Sequence, residues 1–168
     1  MTVEIREATG EDVDAIRLVA RDSWYAAYGG FLEPSAVEGA LGEYYDPELI
    51  EAGIDHDDIA FFVAVDETQD GEAVIGFASA EQTWADEVEL HTIYVHPDRW
   101  GEGVGAALLD RIQEWATELG VDRIACAVLA ENSVGIGFFE GLGFRRGSEA
   151  KGEIAGALHD EYEFELHL

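Results

Sequence analysis

Ile93-Tyr94-Val95-His96-Pro97-Asp98-Arg99-Trp100-Gly101-Glu102-Gly103-Val104-Gly105-Ala106-Ala107-Leu108-Leu109 is the stretch on which the reading of this chain turns. It reads as a strand, a Pro-led turn, three glycines at alternate positions, and the start of an amphipathic helix. Gly101, Gly103 and Gly105 leave a run of backbone N–H groups with few side chains in the way. They sit where a helix starts, so the first N–H groups have no intrahelical acceptor. The helix dipole adds partial positive charge at the same end. Such a place is suited to an anion, a phosphate above all.

Outward from that stretch the elements follow from periodicity. Residues 3–6 alternate as a first strand. Thr9 and Asp12 form a Thr-x-x-Asp capping signal. After it Val13, Ile16, Ala20, Trp24 and Ala27 recur at helical spacing, so a helix begins near Gly10 and ends at Gly29-Gly30. A second helical piece follows Glu33-Pro34, and residues 42–58 read largely as loop or short helix. Residues 59–65 and 73–81 form two strands around a polar turn at 66–72. Residues 87–95 form a third long strand. Strict alternation there puts Glu89, His91, Ile93 and Val95 on one face and Val88, Leu90, Thr92 and Tyr94 on the other. Beyond the glycines, Val104, Leu108, Ile112, Trp115 and Leu119 make an apolar stripe that Gly120 ends. Residues 121–129 read as a buried strand. Asn132-Ser133 caps a short helix through Leu142, in which Gly135, Gly137 and Gly141 each cost about 1 kcal/mol relative to alanine. A strand starts at Phe144, and 162–166 alternates as the last one. The order β-α-(α)-β-β-β-α-β-α-β-β predicts an α+β fold: a mixed, mostly antiparallel twisted sheet flanked by helices on both faces.

The chain has 168 residues, and no linker or repeat divides it, so one domain spanning 1–168 is expected. No apolar run reaches the length of a membrane span, and residues 1–6 show no basic or apolar leader, so the expected setting is the cytoplasm. The single cysteine, Cys126, excludes an internal disulfide and a Cys-type zinc site. It lies on an apolar strand with Ile124 and Val128, with neither a base nor positive charge near it in sequence, and reads as core. His56, His96, His159 and His167 have no metal-ligand spacing, so no metal is expected.

Acidic residues number 37 against nine basic ones, a formal net charge of −28, and they are spread along the whole chain. Self-repulsion of that size destabilises a compact state in dilute salt. At 1 M salt the Debye length falls to about 3 Å and most of the repulsion is screened. The composition therefore points to halophilic adaptation, and it makes nucleic acid a poor partner, since no basic footprint exists.

Three pieces together resemble the GNAT superfamily of acyl-CoA-dependent N-acyltransferases. Glu89-Leu90-His91-Thr92-Ile93-Tyr94-Val95-His96-Pro97 is similar to the strand that family lays against the pantetheine arm. Trp100-Gly101-Glu102-Gly103-Val104-Gly105-Ala106 resembles its pyrophosphate loop. Asn132 followed by Phe138-Phe139-Glu140-Gly141-Leu142-Gly143-Phe144 is similar to its Asn-led helix signature. What the resemblance implies is acetyl-CoA as co-substrate, with Ile93, Tyr94, Val95, the residues from Trp100 to Ala106, Asn132 and Phe139 at its binding site. A segment with Trp24, Ala27, Tyr28, Gly30, Leu32 and Pro34 looks like an acceptor-side element of a subgroup. It makes Trp24, Tyr25 and Tyr28 candidates for the acceptor pocket, with core packing as the other reading for Trp24. The implied reaction is direct attack of an amine on the thioester, without a covalent enzyme intermediate.

An ammonium must lose a proton before it attacks, so a general base is needed; Glu89 and His91, two residues apart on one strand, are the candidates. The oxyanion needs a donor, and the backbone N–H near Val95 is the family-like one. Two departures matter. Trp100 stands where the family often has Gln or Arg. Phe139 replaces the Tyr that commonly protonates the departing thiolate, which leaves solvent, Tyr25, Tyr28 or Ser133 to do so. That replacement keeps a second function open, an acyl-CoA-binding sensor or scaffold without transfer. A dinucleotide site fits Gly101-x-Gly103-x-x-Ala106 but lacks the strand context and the later acidic residue, and a P-loop is excluded because no Gly-Lys-Ser/Thr occurs. The acceptor is a small-molecule or peptide amine, and the resemblance admits a homodimer. The charge carries its own test: the urea midpoint of unfolding should rise between dilute buffer and molar KCl, and an unchanged midpoint would refute halophilic adaptation.

Overall fold

The computed structural model describes residues 3–68, 71–154 and 156–168. In order the elements are β1 (Val3–Glu7), α1 (Val13–Tyr28), α2 (Pro34–Tyr44), α3 (Pro47–Asp55), β2 (Ile59–Thr68), β3 (Gly71–Trp84), β4 (Glu87–Val95), α4 (Val104–Leu119), β5 (Arg123–Leu129), α5 (Ser133–Gly141), β6 (Arg145–Ile154) and β7 (Ala157–His167). The strands form a seven-stranded sheet in the order β1-β2-β3-β4-β5-β7-β6. Every pairing is antiparallel except β4 with β5. The fold is α+β, with helices on both faces of a mixed sheet.

The sheet separates two cores. Leu108, Leu109, Ile112 and Ala116 of α4 pack on one face against Phe62, Val88, Ile124 and Phe164. Ile16, Val19, Ala20 and Trp24 of α1, with Val37 and Ala40 of α2, pack on the other against Val63, Val65 and Phe77. The alternation along β2 thus divides its side chains between the two cores, as expected of a strand buried on both faces. Among the described residues no helix is long and apolar enough to cross a membrane.

One sequence expectation, the loop or short helix within 42–58, becomes definite, and two others change. Residues 42–58 hold a full helix, α3, started by Asp46, which accepts the Glu48 N–H at 2.9 Å, and by Pro47 at the first position; Ile50 anchors it in the core. Both are ordinary start signals, masked there by a surplus of acidic residues. The 66–72 turn is shorter than expected, because β2 and β3 keep pairing out to Thr68 and Gly71. A backbone ladder does not require apolar side chains when a strand end faces water. Residues 69 and 70 lie outside the described residues. Third, β4 does not alternate throughout. Its register to β3 slips by one residue, Ser79 opposing Thr92 and Ala80 opposing Leu90, so His91 is the extra residue of a β-bulge. The bulge reverses the facing beyond it: Val88 and Leu90 share a core with Ile93 and Val95, while Tyr94 joins the other.

At the entry to α1, Thr9 and Asp12 form the expected capping box: the Thr9 N–H donates to Asp12 Oδ2 at 2.8 Å. Arg6 grips the same carboxylate through both terminal nitrogens, at 2.8 and 2.9 Å. Burial works against the charged form of Asp12, but the Arg6 and Thr9 hydrogen bonds outweigh it and lower its pKa. A depressed folded-state pKa gives stability that is present above the ordinary carboxylate range and lost as pH falls through the folded value. Asp12→Asn should therefore cost about 2 kcal/mol at pH 7, read from urea unfolding. The gap between variant and parent should close as the pH is lowered below about 4.

Candidate active site

β4 and β5 pair only at their starts, Glu87 to Glu89 against Arg123 to Ala125. Beyond that the strands part, and residues 90–95 and 126–129 become facing walls of a cavity of about 670 Å³. The His96 N–H donates to the Ile75 carbonyl on β3 at 2.8 Å. Successive amides along a strand point to opposite sides, so the N–H groups of Val95 and Ile93 point away from β3, into the gap. The Val95 carbonyl is held by two donors, Ser23 Oγ at 3.1 Å and Trp100 Nε1 at 2.8 Å. The gap thus offers backbone amides in a fixed orientation to a narrow ligand carrying amides of its own.

At one end of the gap stands the start of α4. Gly101 and Gly103 have φ of 80° and 84°, the left-handed region that other residues enter at a cost. The first intrahelical bond runs from the Ala107 N–H to the Gly103 carbonyl at 3.1 Å. The N–H groups of Val104, Gly105 and Ala106 precede it, so none has an acceptor within the helix. A Cβ on Gly101 or Gly103 would meet nothing within 4 Å, so an open approach lies beside the loop, whereas one on Gly105 would come within 2.7 Å of the Phe138 ring. Gly105 is thus a packing residue that lets α5 lie close to α4. Gly135 is another: its Cβ would crowd the Asn132 amide at 2.5 Å.

The cavity wall includes His91, Ile93, Tyr94 and Val95 from β4; Trp100, Gly101, Gly103, Val104, Gly105 and Ala106 from the loop and α4; and Asn132 and Phe139 from α5. Trp24 and Tyr28 line it from α1; Trp24 is also deep core, 5% exposed. Three candidates do not line it. Glu89 is exposed on β4, opposite Glu81. Glu102 is turned to Arg99, whose Nε lies 3.1 Å from both carboxylate oxygens. Tyr25 is turned outward, its hydroxyl on Glu38. Trp100 lines the wall with its indole N–H already committed to Val95, so it has no polar group to offer a phosphate. Cys126 is buried, and burial together with the charge of Glu89 pushes its pKa up to about 12, so it stays a thiol.

Sequence reasoning missed three wall residues with charge, Arg99 ahead of the glycine loop, Glu153 on β6 and Glu161 on β7. Glu161 alternates with Glu163 and Glu165 and reads as a solvated face. Its inward placement depends on β7 lying beside β5. Burial, and then the charge of Glu163, raises its pKa. His91 Nε2 stands 3.6 Å from Glu81 Oε1. A buried group of hydroxyls also reaches the wall: Tyr28 Oη lies 2.9 Å from Tyr94 Oη, Tyr94 stands next to Tyr45, and Trp24 Nε1 donates to Tyr45 Oη at 3.3 Å.

The sequence model described as Acetyltransferase (GNAT) family matches residues 21–144. A spermidine N(1)-acetyltransferase of Thermoplasma acidophilum is 28% identical, over 86% of this chain and 89% of that one. An uncharacterized N-acetyltransferase of Bacillus subtilis, YuaI, is 30% identical over 92% and 87%. Among solved structures, the PaiA N-acetyltransferase from Thermoplasma acidophilum in complex with coenzyme A superimposes with a TM-score of 0.87, at 26% identity and full coverage of both chains. The two kinds of glycine around the α4 start should separate on substitution. Gly103→Ala should cost only about 1 kcal/mol of stability yet weaken CoA binding by calorimetry. Gly105→Ala should lower the melting temperature further, because α4 and α5 must part.

Proposed function

From the premise that the chain belongs to the GNAT acetyltransferase family, as an acyltransferase with acetyl-CoA as its co-substrate, we propose that it acetylates a small cationic amine, a polyamine being the leading class. A further part of the reading is that residues 1–168 form one domain working in a salt-rich cytoplasm. The observation that carries it is the parting of β4 from β5 after Glu89, with the glycine-led start of α4 at one end of the gap. A pantetheine arm has amides to pair with the backbone that β4 turns into the gap, the Ile93 N–H among it, and its pyrophosphate suits the N–H groups before Ala107. Glu153 and Glu161, on the wall contributed by β6 and β7, supply two carboxylates for an acceptor with more than one ammonium. The likeness to a spermidine acetyltransferase points the same way. An acidic surface also draws cations and repels nucleic acid.

In this reading His91 is the general base. It lines the cavity, its imidazole can take up a proton from the amine, and Glu81 stands behind it. Glu89, outside the cavity, keeps no chemical role. The Val95 N–H is the donor for the oxyanion, and the clamp of Ser23 and Trp100 on the Val95 carbonyl limits its movement.

The test is thiol release from acetyl-CoA in molar KCl against spermidine, amino acids and peptide amines. Spermidine-like amines should be turned over fastest. His91→Ala should lower kcat by about 100-fold, and Glu89→Gln should leave it unchanged. Glu161→Gln should raise the KM for the polyamine about tenfold, the loss of about 1.4 kcal/mol. CoA binding without turnover of any amine would favour a sensor or scaffold instead.

A further inference from the structure

If this enzyme releases CoA from a thioester, the departing sulfur needs a proton, and Phe139 has none to give. Its ring is buried, packed edge-on to Phe138 and Phe144 with both centroid distances 5.1 Å. Other hydroxyls near the site are committed or misplaced. Ser23 donates to the Val95 carbonyl. Tyr25 faces Glu38, outside the cavity. Ser133 is exposed and is not part of the cavity wall.

Tyr28 differs, because its surroundings dictate where its proton goes. An indole N–H can only donate, so Tyr45 Oη accepts from Trp24. Tyr45 is buried and the hydroxyl next to it is that of Tyr94; with the Tyr45 proton turned to Tyr94, the Tyr94 proton goes to Tyr28, 2.9 Å away. Asn132 adds a second donor. Its Oδ1 accepts the Gly135 N–H at 3.0 Å, which fixes the amide so that Nδ2–H₂ is left to donate on the side where Tyr28 lies. Tyr28 Oη therefore accepts from two sides, and its own proton has no protein acceptor among these partners. Tyr28 lines the cavity, which is where that proton points.

We propose that Tyr28, on α1, is the catalytic acid that protonates the departing thiolate, taking over a role that Phe139 cannot fill. The inference rests on the acetyl-transfer reading above. As the amine nitrogen forms its bond to the acyl carbon, the carbon–sulfur bond breaks and its electron pair stays on sulfur. The Tyr28 proton passes to that sulfur, giving the free thiol of CoA. The proton lost by the amine goes to the base and then to water. The Tyr28 phenolate is held meanwhile by the Tyr94 O–H and the Asn132 N–H, and it regains a proton from water. Burial raises the pKa of Tyr28, Tyr45 and Tyr94, so all three enter the cycle protonated.

The experiment compares wild type, Tyr28→Phe and the double variant Tyr28→Phe/Phe139→Tyr, using acetyl-CoA and the best amine of the panel in molar KCl. Tyr28→Phe should lower kcat by about 100-fold, with the Kd for CoA unchanged. Phe139→Tyr in that background should restore at least about tenfold of the loss, by returning a hydroxyl to the helix α5 side of the cavity. The proposal is overturned if Tyr28→Phe keeps the wild-type kcat, or if the double variant is no faster than Tyr28→Phe. Should Tyr28→Phe fail to bind CoA, Tyr94→Phe decides: a lower kcat at unchanged CoA affinity supports the chain, and an unchanged kcat refutes it. A wild-type protein that binds CoA but releases no thiol with any amine would instead refute acetyl transfer itself.

Discussion

A β-ladder that stops partway is the constraint on which this molecule depends. β4 and β5 pair over three residues and then diverge, leaving backbone donors and acceptors on facing walls with no strand between them. Buried peptide groups without partners are costly, so such a gap is stable only if it is wet or filled by a ligand with amides of its own. Much else maintains it. β5 is secured on its other side by seven residue pairs to β7, so it does not swing back to close the gap. β4 is secured to β3, and the bulge at His91 turns the strand where the walls begin. α1 closes one face of the gap with Trp24 and Tyr28, and α5 closes the other with Asn132 and Phe139.

The glycines show how one residue type serves two ends. Gly101 and Gly103 are needed for a backbone conformation that presents N–H groups to open space. Gly105, in the same motif, is needed because a benzene ring occupies the place of its Cβ. The first kind leaves N–H groups open beside the loop, and the second lets α5 lie close against α4. Charge is divided in a similar way. Arg99 is shared between Asp66 and Glu102, so the acidic residue of the loop is matched locally. Glu153 and Glu161 remain on the wall as carboxylates facing a cavity.

Much of the fold was legible in the sequence because its signals are local. The Thr9–Asp12 box, the stripe of α4, the stop at Gly120 and the cap at Asn132 each act within a few residues, and each appears where expected. The α3 helix was left open between loop and short helix because its start signals sit in an acidic, punctuated stretch. The facing of β4 was misjudged beyond Leu90 because a bulge is a property of two strands together, and nothing in 87–95 alone announces it. Glu89 and His91 looked equivalent on that strand. Pairing and bulge leave only His91 in the cavity wall.

The sequence by itself determined the anion-suited helix start, the order of elements and, through three spaced motifs, the GNAT family, because conformational preference, capping and periodicity are written in adjacent residues. It also carried the substitution of Phe139 as a visible gap in the expected chemistry. Only the tertiary structure decided which carboxylates face the cavity, which glycines serve packing, and which hydroxyls gather around Tyr28. Those depend on β7 lying beside β5, on α5 crossing α4, and on Trp24, Tyr45, Tyr94 and Tyr28 converging from α1, the cap that follows α2, and β4. Residues far apart in the chain acquire their roles from their partners, and a hydroxyl becomes a donor only when its neighbours leave it nothing else to do.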